Sequence, residues 1–530
     1  MNIGCISGTQ RPATPRPLMQ SMFIKRLPSA RRGEICIAPG TMVGVGGVDR
    51  RGYDSSSMAR GFAARLLAPV GLATLLVAGI AGPAFACDQQ PVDEGSLRST
   101  VEARYVVPAE PAAAIPTAIT PGTVNRTSIH LTARYRVGLT LRFGSRAFNA
   151  NSIITITNTS GGPIDRVELN TIATRLGGLQ LHVVEVDGRR VTARVSDQTI
   201  VVPLGGVLAA GDSVRLRVHY LSHLRSSLTG SNWMFTRVNG IVDAYRWIPW
   251  VSRATPFSRP NHGDPFVTPI SPEVDITVRT DRRLVIASTA DRVSGSADGL
   301  TQRLIARNVR DVTITAAPDF RTQTVTLGST KVRYYYRSTA NKALIVDAAV
   351  DAFRAMRSRL GLYPYPIYKV VQSAGGYGME SPGLTWIPYG VSRSNLRYLV
   401  AHETAHQWFY GLVGNDQARQ PFADEALADF VARDITGTRR ASRCSTRRLD
   451  LSIYKYSAAC YYEVIYIQGG NLLNEARRRM GSSLFWSTLR AYAQAQRYRL
   501  SSTPTLLQTL DAATPVSLSS LFRPRFPNYY

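Results

Sequence analysis

The sequence predicts an α+β chain of more than one domain, β-rich over residues 131–325 and then mixed and finally helical over 326–522. Two observations carry this division. Between 131 and 325, short β-branched or alternating runs recur with turn residues between them, the pattern of a β-sandwich-like domain. From 341 onward, apolar residues recur at helical spacing, and a stop signal follows the first of these runs.

Taken in order, 152–157 is a β-branched run, and 179–184 and 213–218 alternate apolar with polar residues. Ser160, Gly161, Gly162 and Pro163 mark one turn, and Asp187 with Gly188 another; such residues favour tight reversals. In the second part, Leu344, Ala348, Phe353, Met356 and Leu360 define a helix over 341–360 that Gly361 stops. Strands are expected at 368–372 and 384–389. Helices are expected at 395–412, 423–434, about 459–480, 482–497 and 503–512. Two prolines within 523–527 predict a loose tail. No internal repeat is visible.

Upstream, 87–130 is rich in Pro, Ala and Thr and reads as a linker. Residues 1–86 read as an upstream segment followed by an export signal. Arg60 and Arg65 precede the apolar run 66–82, and Ala84-Phe85-Ala86 forms a small-x-small cleavage pattern before Cys87. Pro69, Gly71 and Gly79 interrupt that run, which argues against a membrane span. The expected location is outside the cytoplasm, secreted or attached to the cell envelope. Cys87 stands where a bacterial lipoprotein carries its lipid, although Ala84 and Phe85 depart from the usual residues. Of five cysteines, Cys444 and Cys460 are the candidate disulfide. The formal charge is +27, but the arginines are scattered with no dense basic run or aromatic platform, so no nucleic-acid partner is expected.

The most informative chemistry is His402-Glu403-Thr404-Ala405-His406. On a helix, two histidines at i and i+4 project from one face a turn apart. That spacing lets both rings hold one Zn²⁺ and places Glu403 beside the fourth position, which stays open for water. Glu425 can supply the third ligand from a second helix. The flanking 399–401 and 408–410 are apolar, so the helix is expected to be buried, where polar side chains need partners. One zinc per chain and a hydrolytic reaction with Glu403 as base follow. Asp429, four residues after Glu425, is a candidate to orient a ligand histidine.

Several segments together resemble the aminopeptidase N family of zinc metallopeptidases, of the gluzincin type and related to leukotriene hydrolase. The zinc block 400–409 is similar to that family's, as is the interval to Glu425 in Asp424-Glu425-Ala426. Gly375 to Leu384 resembles the Gly-x-Met-Glu-Asn strand that lines the substrate cleft, after the familiar 362–366. Tyr466-Ile467-Gln468-Gly469 looks like the Tyr-x-Lys-Gly segment. The resemblance covers about 131–512. It implies a thermolysin-like zinc catalytic domain with C-terminal helices after the β-rich domain.

It also implies roles. His402, His406 and Glu425 are the zinc ligands, Glu403 the general base, and Tyr466 the donor to the oxyanion. Glu380 would bind the free α-amine of a peptide substrate, with Gly378 and Met379 beside it. The implied activity is that of an exported aminopeptidase. The alternatives are an endopeptidase or epoxide-type hydrolase on the same site, or a catalytically weak envelope-binding protein. Departures from the family pattern are Tyr377 for Gly, Ser381 for Asn, Gln468 for Lys, and a short interval from Glu425 to Tyr466. The chain stops soon after 512, so an open cleft is expected.

Overall fold

The computed structural model describes residues 118–257, 264–361 and 363–530. The export signal expected at 58–86 and Cys87 lie outside the described residues. The β-rich part is built around an eight-stranded sheet. Its order is Asp291–Gly295, Thr301–Val309, Ser271–Thr280, Thr132–Arg142, Ala147–Thr157, Ser213–Leu221, Gln180–Val186 and Arg189–Arg190. Thr132–Arg142 shows why it forms: Ala133, Tyr135, Val137, Leu139 and Leu141 are buried, while Arg134, Arg136 and Arg142 are exposed. Side chains of period two can place one set in a core and the other in water.

A second sheet contains Ile119–Thr120, Thr199–Leu208, Ile164–Asn170 and Trp250–Val251, with Arg194–Ser196 added on Thr199–Leu208. Ile164, Val167, Leu169, Ile200 and Val202 of this sheet share one apolar core with Leu139, Phe148, Ile154 and Leu216 of the first. The end of the stretch read as linker is fastened here. Ile119 and Thr120 pair with Leu208 and Val207. Asp165 accepts from the backbone of Val124 at 2.9 Å and of Arg126 at 3.1 Å.

A five-stranded sheet carries the site. It runs Arg321–Leu327, Thr330–Tyr336, Ile367–Ser373, Leu384–Pro388, Met379–Ser381. Thr330–Tyr336 pairs with Ile367–Ser373 in parallel, and helix Lys342–Leu360 is the crossover that parallel pairing needs. Met379–Ser381 returns antiparallel along Leu384–Pro388 and forms the sheet's edge. Helix Arg393–Ala405 packs against both Lys342–Leu360 and Leu427–Thr436. Phe353, Met356, Val400, Trp408, Phe422 and Phe430 fill the core among these helices.

Two expectations are corrected. The helix expected over 395–412 ends at Ala405, with His406 as its cap. The backbone then turns, and the buried Arg310 guanidinium donates to Leu412 O at 3.2 Å and Thr268 O at 2.9 Å. A guanidinium with five donors can satisfy carbonyls that a continuing helix would have paired. The tail is not loose: Leu518, Phe522 and Phe526 are fully buried. Phe522 and Phe526 lie four residues apart, and the Phe526 ring meets Phe422 at 4.8 Å. Apolar burial there outweighs the two flanking prolines.

The other expected helices form at Ser482–Ala495 and Thr503–Ala512. Among the described residues two segments are π-helical, Phe422–Ala426 and Tyr462–Gln468, each running into an α-helix. Such wide turns are uncommon and recur at functional positions. Here they carry Glu425 and Tyr466. Cys444 and Cys460 form a disulfide just before the second of them.

Candidate metal centre and active site

His402 and His406 leave one helix face, and Glu425 approaches from the π-helical turn at Phe422–Ala426. All three are buried. His402 Nε2 and His406 Nε2 are 3.1 Å apart, and Glu425 Oε2 lies 3.2 Å from the first and 3.4 Å from the second. Three donors on a tetrahedron with metal bonds near 2.0–2.1 Å need separations of about 3.3–3.4 Å. The triangle therefore fits zinc. Two neutral imidazoles also do not satisfy each other when both nitrogens present lone pairs, whereas a shared cation satisfies both.

The surroundings favour a cation. Burial alone would lower the His406 pKa, but the carboxylates of Asp424 and Glu425 push it well above its usual range. Glu425, which burial would raise, is held well below the carboxylate range by His406 and His402. The His402 ring lies nearly parallel to those of Tyr466 at 5.4 Å and Tyr398 at 5.8 Å. His406 Nδ1 faces Asp424 Oδ1 at 2.7 Å and Phe409 O at 3.0 Å, which leaves Nε2 for the metal. Carboxylate partners of this kind fix the tautomer and orientation of a ligand histidine.

Asp424, not Asp429, has that position. Asp429 instead accepts from Tyr398 at 2.5 Å and from Arg433 at 2.9 Å. Sequence reasoning missed Asp424 although it directly precedes Glu425. The wide π-turn helps bring two consecutive acidic residues to one metal centre, an arrangement an α-helical wheel does not suggest.

Glu403 lies in the same cleft as the metal triangle, together with Glu380, Gly378, Met379 and Tyr466. Burial, with Glu425 adding to it, pushes the Glu403 carboxyl up to about 8. Its Oε2 is buried without a hydrogen bond among the described residues. Gly378 packs directly on this carboxylate: a Cβ there would stand 2.1 Å from Glu403 Oε1. Gly378→Ala is therefore expected to displace Glu403 and lower kcat by roughly 100-fold, the scale of a 1 Å misplacement. Steady-state kinetics on zinc-loaded protein with an unchanged melting temperature would establish it; unchanged kcat would show that the carboxylate has room.

Glu380 is 3% exposed on the edge strand, and burial, then Asp264, push its carboxyl well above the usual range. Tyr466 lines the cleft beside His402; burial and the Glu425 charge keep its hydroxyl protonated.

The departures from the family pattern have local explanations. Tyr377 turns its ring edge to Trp233, with centroids 5.6 Å apart, and both line the cleft. Trp233 lies over Gly376, whose φ of +89° and lack of a Cβ allow that approach. Ser381 is buried, with its hydroxyl 2.7 Å from Thr313 Oγ1 and 2.8 Å from Asp311 Oδ1. Gln468 donates to Cys444 O and Thr446 O, both at 2.9 Å. It therefore serves the disulfide-bonded loop. Gln407 links the zinc helix to the edge strand: its Nε2 donates to Ser381 O at 3.0 Å, and its Oε1 accepts from Tyr363 at 2.7 Å.

No family model matches the chain, and no curated protein does. Solved structures do. A mutant M1 zinc metallopeptidase from Deinococcus radiodurans superposes with a TM-score of 0.57 at 19% identity, over 77% of this chain and 96% of that one. A mutant bound to a Tyr-Ser-Ala substrate gives 0.56 at 19% identity, over 77% of this chain and 95% of that one. A further M1 structure from the same organism gives 0.53 at 20%, over 74% and 93% respectively. Across the β-rich part and the helical part that carries the metal triangle, this chain has the fold of the M1 zinc metallopeptidases.

Proposed function

We propose that the chain is an exported, zinc-dependent aminopeptidase with one zinc per chain. The observation that carries this reading is the triangle of His402, His406 and Glu425, with Glu403 and Glu380 in the same cleft. Zinc held there would supply a Lewis acid that polarises the scissile carbonyl and makes water acidic enough to ionise near neutral pH.

The chain's own residues do the rest. Glu403 takes the proton from water and returns it to the leaving amine, the acid–base task of a carboxylate held beside the metal position. Tyr466 donates a hydrogen bond where negative charge develops on the former carbonyl oxygen. Glu380 receives the α-ammonium of the substrate, so that the first peptide bond meets Glu403. The M1 relative's complex with Tyr-Ser-Ala, a tripeptide, supports peptides as substrates. The Cys444–Cys460 disulfide supports an extracytoplasmic location, because such bonds persist in oxidising compartments. Envelope attachment through Cys87 belongs to the same reading.

A panel of peptides with free and acetylated N-termini, with and without chelator, tests it. Wild type is expected to cleave only the free-amine peptides, and chelator to stop it. Glu380→Ala should weaken free-amine peptides by on the order of 10–100-fold, the loss of one charge-assisted bond, and leave zinc content unchanged. Equal cleavage of blocked and free peptides would make the site an endopeptidase. No cleavage of either by zinc-loaded protein would end the peptidase reading.

A further inference from the structure

We infer that Gln417 is a positioning residue that ties the amine-binding carboxylate to the metal-binding histidine through one buried side-chain amide. The inference rests on the roles proposed for Glu380 and His406. Gln417 lies in the loop between helix Arg393–Ala405 and the π-turn Phe422–Ala426, and is 3% exposed. Its Nε2 donates to Glu380 Oε1 at 3.0 Å and to Asp424 Oδ2 at 2.7 Å. Asp424 in turn holds His406 Nδ1 through its other oxygen at 2.7 Å. One NH₂ group thus links the two ends of the pocket.

Arg246 fixes which way the amide faces. Its Nη2 donates to Gln417 Oε1 at 2.9 Å. A guanidinium has no acceptor and a carboxylate has no donor, so the oxygen must face Arg246 and the nitrogen the two acids. Arg246 is itself held in place, with its guanidinium 4.0 Å from the Phe266 ring centroid and 5.0 Å from that of Tyr410. It also lies 3.7 Å from Asp311 Oδ2 and 3.9 Å from Glu380 Oε1.

The residue type matters. A lysine at 417 would put a full positive charge beside Glu380 and compete with the substrate's ammonium. A glutamate would add a third carboxylate and withdraw both donors. An apolar residue would leave two buried carboxylate oxygens short of a bond, which is costly. A neutral amide orients Glu380 and Asp424 together and adds no charge that would compete for Glu380. The separation between amine site and metal site is then set by the span of a single side chain.

The test uses the full chain and two equilibria. Zinc affinity is read by chelator competition. Binding of L-leucinamide and of N-acetyl-L-leucinamide to zinc-loaded protein is read by calorimetry. Gln417→Met, of similar length but without the bonds, is expected to weaken zinc by about 10-fold, the low end for an outer partner of a ligand. It should also weaken L-leucinamide by about 10-fold and the acetylated compound by less than twofold. Gln417→Asn, polar but too short to span both acids, should weaken zinc and L-leucinamide by at least threefold and serves if the Met variant does not fold. A folded variant in which either equilibrium stays within twofold of wild type overturns the inference. If wild type itself does not prefer the free amine, the Glu380 role fails and takes this inference with it. Wild-type preference that survives unchanged in the variants overturns the inference alone.

Discussion

Glu403→Gln is expected to bind zinc as wild type does and to lose turnover by on the order of 10³-fold on every substrate. The amide keeps the side chain's size, so the 4% exposed pocket beside Gly378 stays filled. What it lacks is the ability to take and return a proton, the whole of the role assigned to it. A pH signature separates this from a folding defect. Without metal, the folded-state pKa of about 8 lies above the unfolded value near 4.3. The stability Glu403 contributes is therefore present below about pH 4.3 and lost as pH rises through 8. The amide removes that loss. In the presence of chelator, the variant should melt higher than wild type at pH 8.5 and less so at pH 5. Substantial residual turnover would move the base elsewhere in the cleft.

His406→Ala is expected to abolish measurable zinc binding at micromolar metal, weakening it by well over the 10–100-fold typical of an outer partner. It should also destabilise the metal-free protein, whereas His402→Ala should remove zinc at a smaller cost to the fold. The difference follows from what each ring holds. Both rings face Glu425, but only His406 also holds Asp424, a second buried acid, through Nδ1. Removing it strands charge in the interior, a change that typically costs about 3–5 kcal/mol. His402 Nδ1 has no hydrogen-bond partner among the described residues, and its ring rests on tyrosine faces. Elemental analysis and melting curves with chelator read both effects. Equal melting temperatures for the two variants would show that Asp424 does not depend on His406.

The metal triangle was legible because helical periodicity turns a four-residue spacing into proximity, and His402 and His406 stand on one helix. Alternation made 179–184 and 213–218 legible as strands for the same reason, and they form at Gln180–Val186 and Ser213–Leu221. The helix end at Ala405 was not legible, because the carbonyls of the turn that follows, such as Leu412 O, are paired by Arg310, a side chain from another part of the chain. The same holds for Gln417. Its three partners, Arg246, Glu380 and Asp424, come from separate segments, and no local pattern announces a neutral amide between two acids. Residues 523–527 were misread because prolines signal local conformation only. Phe522 and Phe526 are buried by tertiary packing. Glu380 and Tyr466 came from likeness to a known family, since an isolated Glu or Tyr carries no signal of its own.

The π-helical stretch Tyr462–Gln468 has a consequence for how this chain tolerates insertions and deletions. A π-turn behaves as one surplus residue accommodated inside an α-helix. Deleting a single residue there would let the helix relax to its ordinary winding, with little disturbance to the backbone hydrogen bonds of Gly469–Met480. The side chains upstream would rotate by about 100° relative to those downstream. Tyr466 and the downstream face that packs in the core could not then both keep their directions. The segment is thus a counting device: the number of residues between the Cys460 anchor and Gly469 decides whether a phenol faces the cleft.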